Sequence, residues 1–203
     1  MFFAVFFIYP ISRIFLNSVY DFNTGTFSLK AFEKFFGKKY YTNTIWNSLK
    51  VTTCATVLAC LFGTSLAYFA RTIRIRGKRA LDIVMLISVL SPPFIGAYSW
   101  IVLLGRAGVI TTVINRIFHI TFNGIYGFSG ILLVFTVKLS PLVYLYVSGA
   151  LKNLDNSLNE AAENMGCSGI KKMFTVILPL ILPTVLASAL LVFMRALADF
   201  GTP

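Results

Sequence analysis

Charged side chains are scarce in this chain. They make up 12% of its 203 residues, and only seven residues are acidic. A soluble domain carries about 25% charged residues, which cover its surface. Apolar residues account for 57% of the chain and the mean hydropathy is +0.80. The composition therefore excludes an ordinary soluble domain and predicts a protein whose solvent is the lipid bilayer.

The shortage of acidic residues leaves a formal net charge of +11. In a soluble protein such a charge would suggest nucleic acid as a partner. Here the basic residues cluster in short loops between apolar runs, which is typical of the cytoplasmic loops of membrane proteins. We therefore expect a lipid membrane as partner and no nucleic acid.

Catalytic and metal-binding residue types are equally sparse. The only histidine, His119, has no Cys or carboxylate neighbour at metal-ligand spacing. Cys54 and Cys60 are six positions apart on one apolar run, so they lie on different helix faces and are expected to pack. No glycine-rich phosphate loop is present, so the chain is not expected to hydrolyse ATP itself. We expect no metal, no cofactor and no enzymatic activity.

Five apolar runs are long enough to cross a membrane core of about 30 Å. Because lipid offers no partner for an unpaired backbone group, all should be helices. The sequence predicts an all-α polytopic transmembrane bundle with about five spanning helices, at 2–19, 45–70, 83–104, 128–151 and 174–197. Prolines inside these runs predict kinks or breaks beside a cavity.

The loops between the runs predict the orientation. The second loop holds the densest basic cluster, and the fourth holds three lysines, whereas the third holds two arginines. Basic residues favour the cytoplasmic side, so loops two and four and the N-terminus are expected there. The residues concerned are Arg71, Arg74, Arg76, Lys78 and Arg79 in loop two, Lys152, Lys171 and Lys172 in loop four, and Arg106 and Arg116 in loop three.

The fourth loop has the local signals of a short helix. Residues 157–160 read SLNE, a capping box that would satisfy the first free N–H groups of a helix. Ala161 and Ala162 are strong helix formers. Gly166 suits the left-handed residue that ends such a helix. Local physics thus predicts a helix, a stop, and a second helical turn through Ile170 to Phe174.

From Glu160 the loop continues as EAAENMGCSGIKKMFTVILPLILP, with Gly166, Leu178-Pro179 and Pro183 at fixed spacing. This stretch resembles the EAA loop of bacterial ABC importer permeases, and the resemblance extends over about 42–203. It implies a type I ABC importer permease fold that docks on an ATPase through Glu160, Ala161, Ala162, Gly166, Cys167 and Ser168.

That resemblance also implies partners and a location. They are an ABC ATPase subunit, an external solute-binding protein, and a second permease subunit or half. The expected location is the bacterial inner membrane, where ATP-driven closure of the ATPase pair would give alternating access.

Residues 1–41 would form a first transmembrane helix and an external segment, and 42–203 the permease domain. A sixth span is expected in this family, so the chain is expected to be incomplete. The alternative is a passive channel or carrier without an ATPase.

The third run contains Ser91-Pro92-Pro93 about nine residues from its cytoplasmic end, so the helix should break near mid-membrane. Such breaks occur beside substrate paths, although a packing kink is equally compatible. The stretches SPPFIGAYSWIVLLGRAGVIT and ALADFGTP resemble permeases for iron(III), polyamines or aminoethylphosphonate. Iron(III) is the first expectation for the substrate.

Ionisable residues inside the runs complete the predicted substrate path. Lys138, in the fourth run, either contacts substrate or pairs with a carboxylate in the bundle. Arg195 and Asp199 are four apart, so they share a helix face and can pair; Asp199 either lines the external exit or lies at the interface. The predicted path residues are Pro92, Pro93, Tyr98, Lys138 and Asp199.

Overall fold

The computed structural model describes residues 4–21, 26–73, 77–118, 124, 126–154, 162, 164–167 and 169–199. Almost all of these residues are helical. Four helical segments are long and apolar enough to cross a membrane: Lys39–Thr72, Tyr98–Ile117, Gly127–Lys152 and Met173–Leu197. A shorter apolar helical segment covers Val5–Val19. The predicted all-α membrane bundle is confirmed, although the described residues contain four candidate spans where about five were predicted. The predicted runs at 2–19 and 83–104 are not among the four, which include Tyr98–Ile117 instead.

Met1–Leu49 forms one of two compact units. A π-helical turn at Ala4–Ile8 leads into α1, Tyr9–Val19, and α2 follows at Lys30–Phe36. Between them β1, Tyr20–Asp21, pairs antiparallel with β2, Thr26–Phe27. This two-residue ladder is the one strand pairing in the described part of the unit.

Lys50–Pro203 forms the second unit. Its helices are α3, Lys39–Thr72, which begins in the first unit; α4, Lys78–Leu90; α5, Pro93–Leu104; α6, Val109–Phe118; α7, Gly127–Lys152; α8, Gly169–Lys172; and α9, Leu178–Leu197. A π-helical segment, Met173–Ile177, joins α8 to α9.

The core of this unit is built around α7. Small residues recur every four positions on α3, where Ala55, Ala59 and Ala67 are fully buried. Small side chains let helix backbones approach closely, which drives packing in lipid. At Gly63 the approach is tightest, because a Cβ there would lie 2.7 Å from the Ser140 carbonyl oxygen and 2.7 Å from Val143 Cβ. Residue 63 must therefore be glycine for α3 and α7 to pack as they do.

The predicted third span is two helices rather than one. α4 ends at Leu90, and the extended residues Ser91 (ψ 138°) and Pro92 (ψ 140°) separate it from α5. Proline disfavours a helical conformation in the residue before it, and two consecutive prolines therefore stop the helix. The predicted break is confirmed at this position. By contrast, α7 continues through Pro141 and α9 through Pro183.

Candidate functional site: a cavity beside the broken helix

A cavity of about 690 Å³ lies where α4, α5, α7 and the end of α9 meet. Three of the five predicted path residues, Pro92, Lys138 and Asp199, line it. They come from the helix break, the middle of α7 and the residues that follow α9. The structure thus brings together residues that are far apart in sequence, around a volume large enough for a small solute.

Lys138 and Asp199 form an ion pair in this cavity, with Lys138 Nζ donating to Asp199 Oδ2. The Lys138 side chain is 18% exposed and the Asp199 side chain 7%. Charges removed from water are tolerated when they are paired, so each of the two side chains supplies the opposite charge that the other needs. The expected pairing of Lys138 with a carboxylate is confirmed, and the lysine also lines the cavity, whereas its contact with substrate stays a prediction.

Arg195 also lines the cavity. Its predicted pairing with Asp199 rested on helical spacing, but α9 ends at Leu197, before Asp199. The structure joins the Asp199 carboxylate to Lys138, 61 positions away in sequence. The ion pair that organises this site is therefore Lys138–Asp199, and not the Arg195–Asp199 pair that the four-residue spacing predicted.

The break after α4 sets the face that α5 presents to the cavity. Pro92, Gly96 and Trp100 are spaced by four residues and all line it. A Cβ at Gly96 would lie 4.0 Å from Lys138 Cδ, so the first turns of α5 lie next to the lysine side chain. The N-terminal end of a helix carries a partial positive charge. The break therefore places the positive end of α5 near Lys138, together with the negative end of α4.

Two predicted path residues are placed differently. Pro93 begins α5, and the structure does not describe its side chain. Tyr98 lies on α5 with 69% of its surface exposed, and it is not among the residues that line the cavity. Its ring therefore faces away from the site, towards the surroundings of this chain.

Sequence reasoning missed a second polar cluster, which we name the four-residue network: Arg71, Asp82, Tyr144 and Ser148. Arg71 Nε donates to Ser148 Oγ at 2.5 Å, and Arg71 Nη2 lies 3.4 Å from Asp82 Oδ2. The Tyr144 hydroxyl donates to Asp82 Oδ1 at 2.5 Å. These bonds link α3, α4 and α7. Asp82 was the available signal, because an acidic residue inside an apolar helix is rare and needs a partner.

The helix stop predicted at Gly166 is confirmed. Gly166 has φ +78°, and the Cys167 N–H donates to the Ala162 carbonyl at 2.9 Å. A bond that spans five residues and closes over a left-handed glycine is the Schellman helix end. Ala162 is 2% exposed and Cys167 is partly buried.

The remaining predicted coupling residues, Glu160, Ala161 and Ser168, lie outside the described residues, as does His119. In the part of the chain that the structure describes, no three His, Cys, Asp or Glu side chains form a group that could hold a metal ion.

Apolar helices of membrane length, a helix broken by prolines, and a charged pair at the neighbouring cavity together define a polytopic helical membrane protein. The model of the family described as the binding-protein-dependent transport system inner membrane component matches residues 59–203. The chain belongs to this family of ABC importer permeases.

Curated relatives transport different substrates. The chain is 29% identical over 199 residues, 98% of its length, to the ferric transport system permease protein FbpB of Actinobacillus pleuropneumoniae. It is 32% identical over 154 residues, 76% of its length, to the molybdenum transport system permease protein ModB of Escherichia coli K12. It is 29% identical over 169 residues, 79% of its length, to the spermidine/putrescine permease PotB of Haemophilus influenzae.

The chain spans 29% of the length of the ferric permease, 66% of the molybdenum permease and 57% of the polyamine permease. These relatives are transport permeases and not enzymes, which agrees with the expectation from the sequence. Their range of substrates means that family membership by itself does not select one.

Proposed function

We propose that this chain forms part of the substrate path of an ATP-driven importer and that the cavity at the broken helix is a section of that path. The observation that carries this proposal is the partly buried Lys138–Asp199 pair at the edge of the cavity. A buried charged pair is costly in a membrane bundle, and packing alone would be served as well by apolar residues. A path for a polar solute explains why the charges are there.

Coupling to ATP would take place at residues 160–168. In this proposal Glu160, Ala161 and Ala162 belong to a short helix that docks on a separate ABC ATPase subunit, and Gly166, Cys167 and Ser168 follow its end. The Schellman end at Gly166 supports this, because it gives the segment a defined stop before α8. Such a short helix can pass a rigid-body movement to the span that follows it.

An external solute-binding protein would deliver the substrate, and a second permease subunit or half would complete the path. The location proposed is the bacterial inner membrane with the N-terminus in the cytoplasm. Iron(III) is the first substrate proposed, because the ferric permease matches 98% of this chain. A passive channel or carrier is the alternative, and it predicts no ATPase partner.

The coupling proposal can be tested with the partly buried thiol of Cys167, after Cys54 and Cys60 are replaced by serine. Single cysteines are placed in the groove of the co-purified ATPase, in the complete transporter. We expect a crosslink to Cys167 whose yield changes when ATP is added. No crosslink at any groove position, together with no co-purifying ATPase, would favour the passive carrier.

Gly166→Ala supplies the matched functional test. A side chain at a left-handed residue costs about 1 kcal/mol, so the helix end should be disturbed. Gly77→Ala is the control, because Gly77 also has a positive φ (+94°) and open space around it, but lies before α4. We expect Gly166→Ala to lower uptake relative to ATP hydrolysis and Gly77→Ala to preserve their ratio. Equal loss in both variants would assign the effect to backbone strain alone.

A further inference from the structure

The cavity carries a net positive charge. Of the side chains that line it, Lys138 and Arg195 are basic and Asp199 is acidic. Trp100 adds an indole N–H, which can only donate a hydrogen bond, and Ser91 adds a hydroxyl. The positive end of α5 and the negative ends of α4 and α9 meet at the same cavity, so the helix dipoles largely cancel and the side chains decide the sign. The surroundings therefore favour a ligand that carries negative charge and accepting oxygens.

Asp199 is itself such a group, and its carboxylate already contacts Lys138. The residue follows the last turn of α9, and its N–H donates to the Ala196 carbonyl at 3.4 Å. Its carboxylate therefore reaches the lysine from a chain segment outside the helix. An incoming oxyanion could take over the bond from Lys138 Nζ, at the cost of hydrating the freed Asp199 carboxylate in the open volume of the cavity.

We propose that the cavity binds an oxygen-bearing anion as substrate, and that the Asp199 carboxylate is a stand-in for this anion, bonded to Lys138 when no substrate is present. The substrate anion displaces the Asp199 carboxylate from Lys138, while Arg195 supplies a second positive charge. This proposal rests on the proposed function, because it assigns a substrate class to the same path. The anion is either a free oxyanion or a ferric ion enclosed in an anionic complex. The exchange keeps Lys138 paired in both states, and the cost of the bound state is the displaced Asp199 carboxylate, which has to be hydrated in the cavity.

A bare ferric ion does not suit this cavity. Hard cations are bound by several oxygen ligands, usually with more than one carboxylate. Among the described residues that line the cavity, Asp199 is the one carboxylate, and it is paired with Lys138. A polyamine fits no better, since it would meet two cations and a single acid. An iron cargo would therefore pass together with the anion that complexes it.

The test uses a reporter cysteine in the complete transporter. Cys54, Cys60 and Cys167 are replaced by serine and Ser91→Cys is introduced, because residue 91 is exposed and lines the cavity. The rate at which a thiol reagent modifies it is measured with molybdate, with ferric ion in excess citrate, with citrate alone and with spermidine. We expect the anions to slow modification and spermidine to leave it unchanged. The molybdate and ferric citrate arms separate the free oxyanion from the iron complex, and citrate alone corrects for the complexing anion.

Variants at the pair give effects of opposite sign. Lys138→Gln should weaken protection by the anion about tenfold or more, whereas Asp199→Asn should strengthen it several-fold, because the internal competitor is removed. Lys138→Arg keeps the charge and should retain most of the protection, which shows that the fold is intact. A purely structural pair would lower protection in both Lys138→Gln and Asp199→Asn.

Protection by spermidine and not by the anions would overturn the proposal and leave the importer function standing. Weaker protection in Asp199→Asn, with Lys138→Arg intact, would overturn the stand-in role. The assay needs no ATP or uptake, so a failure of ATPase coupling, seen by crosslinking at Cys167, is distinguished from a failure of anion binding.

Discussion

Two charged clusters on α7 contrast with each other. Lys138 pairs with Asp199 at the edge of the cavity, and six residues further, about 9 Å along the helix, Tyr144 belongs to the four-residue network. Both combine one basic and one acidic residue, and both join α7 to distant parts of the chain. They differ in what surrounds them: the Lys138–Asp199 pair lines a cavity, whereas the network includes Tyr144 and Ser148, which are buried between helices. The charged members of the network, Arg71 and Asp82, are themselves 23% and 34% exposed.

The difference shows what each cluster can do. In the four-residue network the acid accepts from both Arg71 and Tyr144, and Arg71 also bonds Ser148. Tyr144 and Ser148 are almost fully buried, so a lost bond cannot be replaced by water. The cavity pair has open volume beside it, into which a ligand can move. We therefore expect the network to hold three helices in place and the cavity pair to exchange partners.

The largest effect is expected at Gly63, which lies against α7 at Ser140 and Val143, between the two clusters. Gly63→Leu places atoms where a Cβ alone would lie 2.7 Å from a backbone oxygen, and overpacking of this kind costs about 1–3 kcal/mol or more. We expect a marked loss of folded protein and a lower thermal midpoint in the purified transporter.

Gly149→Leu is the matched control for this substitution. Gly149 is also a helical glycine of the second unit, but it has open space around it. Its replacement should leave the midpoint unchanged or slightly higher, since leucine favours helix over glycine. Similar midpoints for the two variants would show that the close approach of α3 to α7 does not stabilise the bundle.

Asp82→Ala should have the next largest effect. It removes the acceptor of the buried Tyr144 hydroxyl and the partner of Arg71, at a cost of about 1–3 kcal/mol. The thermal midpoint should fall while anion protection at Ser91→Cys persists, because the cavity pair is untouched. Glu33→Ala is the control, because Glu33 is an exposed acid on α2, and it should leave both the thermal midpoint and the anion protection unchanged. If Asp82→Ala had the same thermal midpoint as Glu33→Ala, the four-residue network would not stabilise the protein.

Tyr144→Phe should cost less, about 1 kcal/mol, because it removes one hydroxyl while Arg71 and Asp82 keep each other. Tyr98→Phe is the control, since Tyr98 is 69% exposed. Combined with Asp82→Ala, Tyr144→Phe should add little further loss, because both remove the same bond. Additive losses in the thermal midpoint would mean that the hydroxyl acts independently of Asp82.

The smallest functional effect is expected from cysteines that report orientation, because both proposed sites are exposed. Arg79→Cys should be shielded from an impermeant thiol reagent in intact cells, and Ala107→Cys should react, in a background without native cysteines. Thr111, in the same external region by sequence, is fully buried and would not react from either side. The reverse labelling pattern would place residues 160–168 outside the cell, where they could not contact an ATPase.

Local signals in the sequence were sufficient for several features of the structure. Ser91-Pro92-Pro93 predicted the helix break, because proline lacks a donor N–H and restricts its neighbour. Gly166 predicted the helix end, because a left-handed residue strains any side chain. The spacing from Glu160 to Pro183 predicted the family that the comparison with residues 59–203 shows. These signals depend on a few neighbouring residues, so no tertiary context was needed to interpret them.

The sequence by itself determined the membrane class of this protein, the positions of its three longest helical spans, where one helix breaks, and the family. Tertiary structure decided which charges meet. Asp199 contacts Lys138 across 61 positions, and Asp82 contacts Tyr144 across 62. Helical spacing pointed instead to Arg195, and it could not show that Tyr98 faces outward. The physical reason is that periodicity specifies only which residues share a helix face, whereas the partner of a buried charge depends on how separate helices pack.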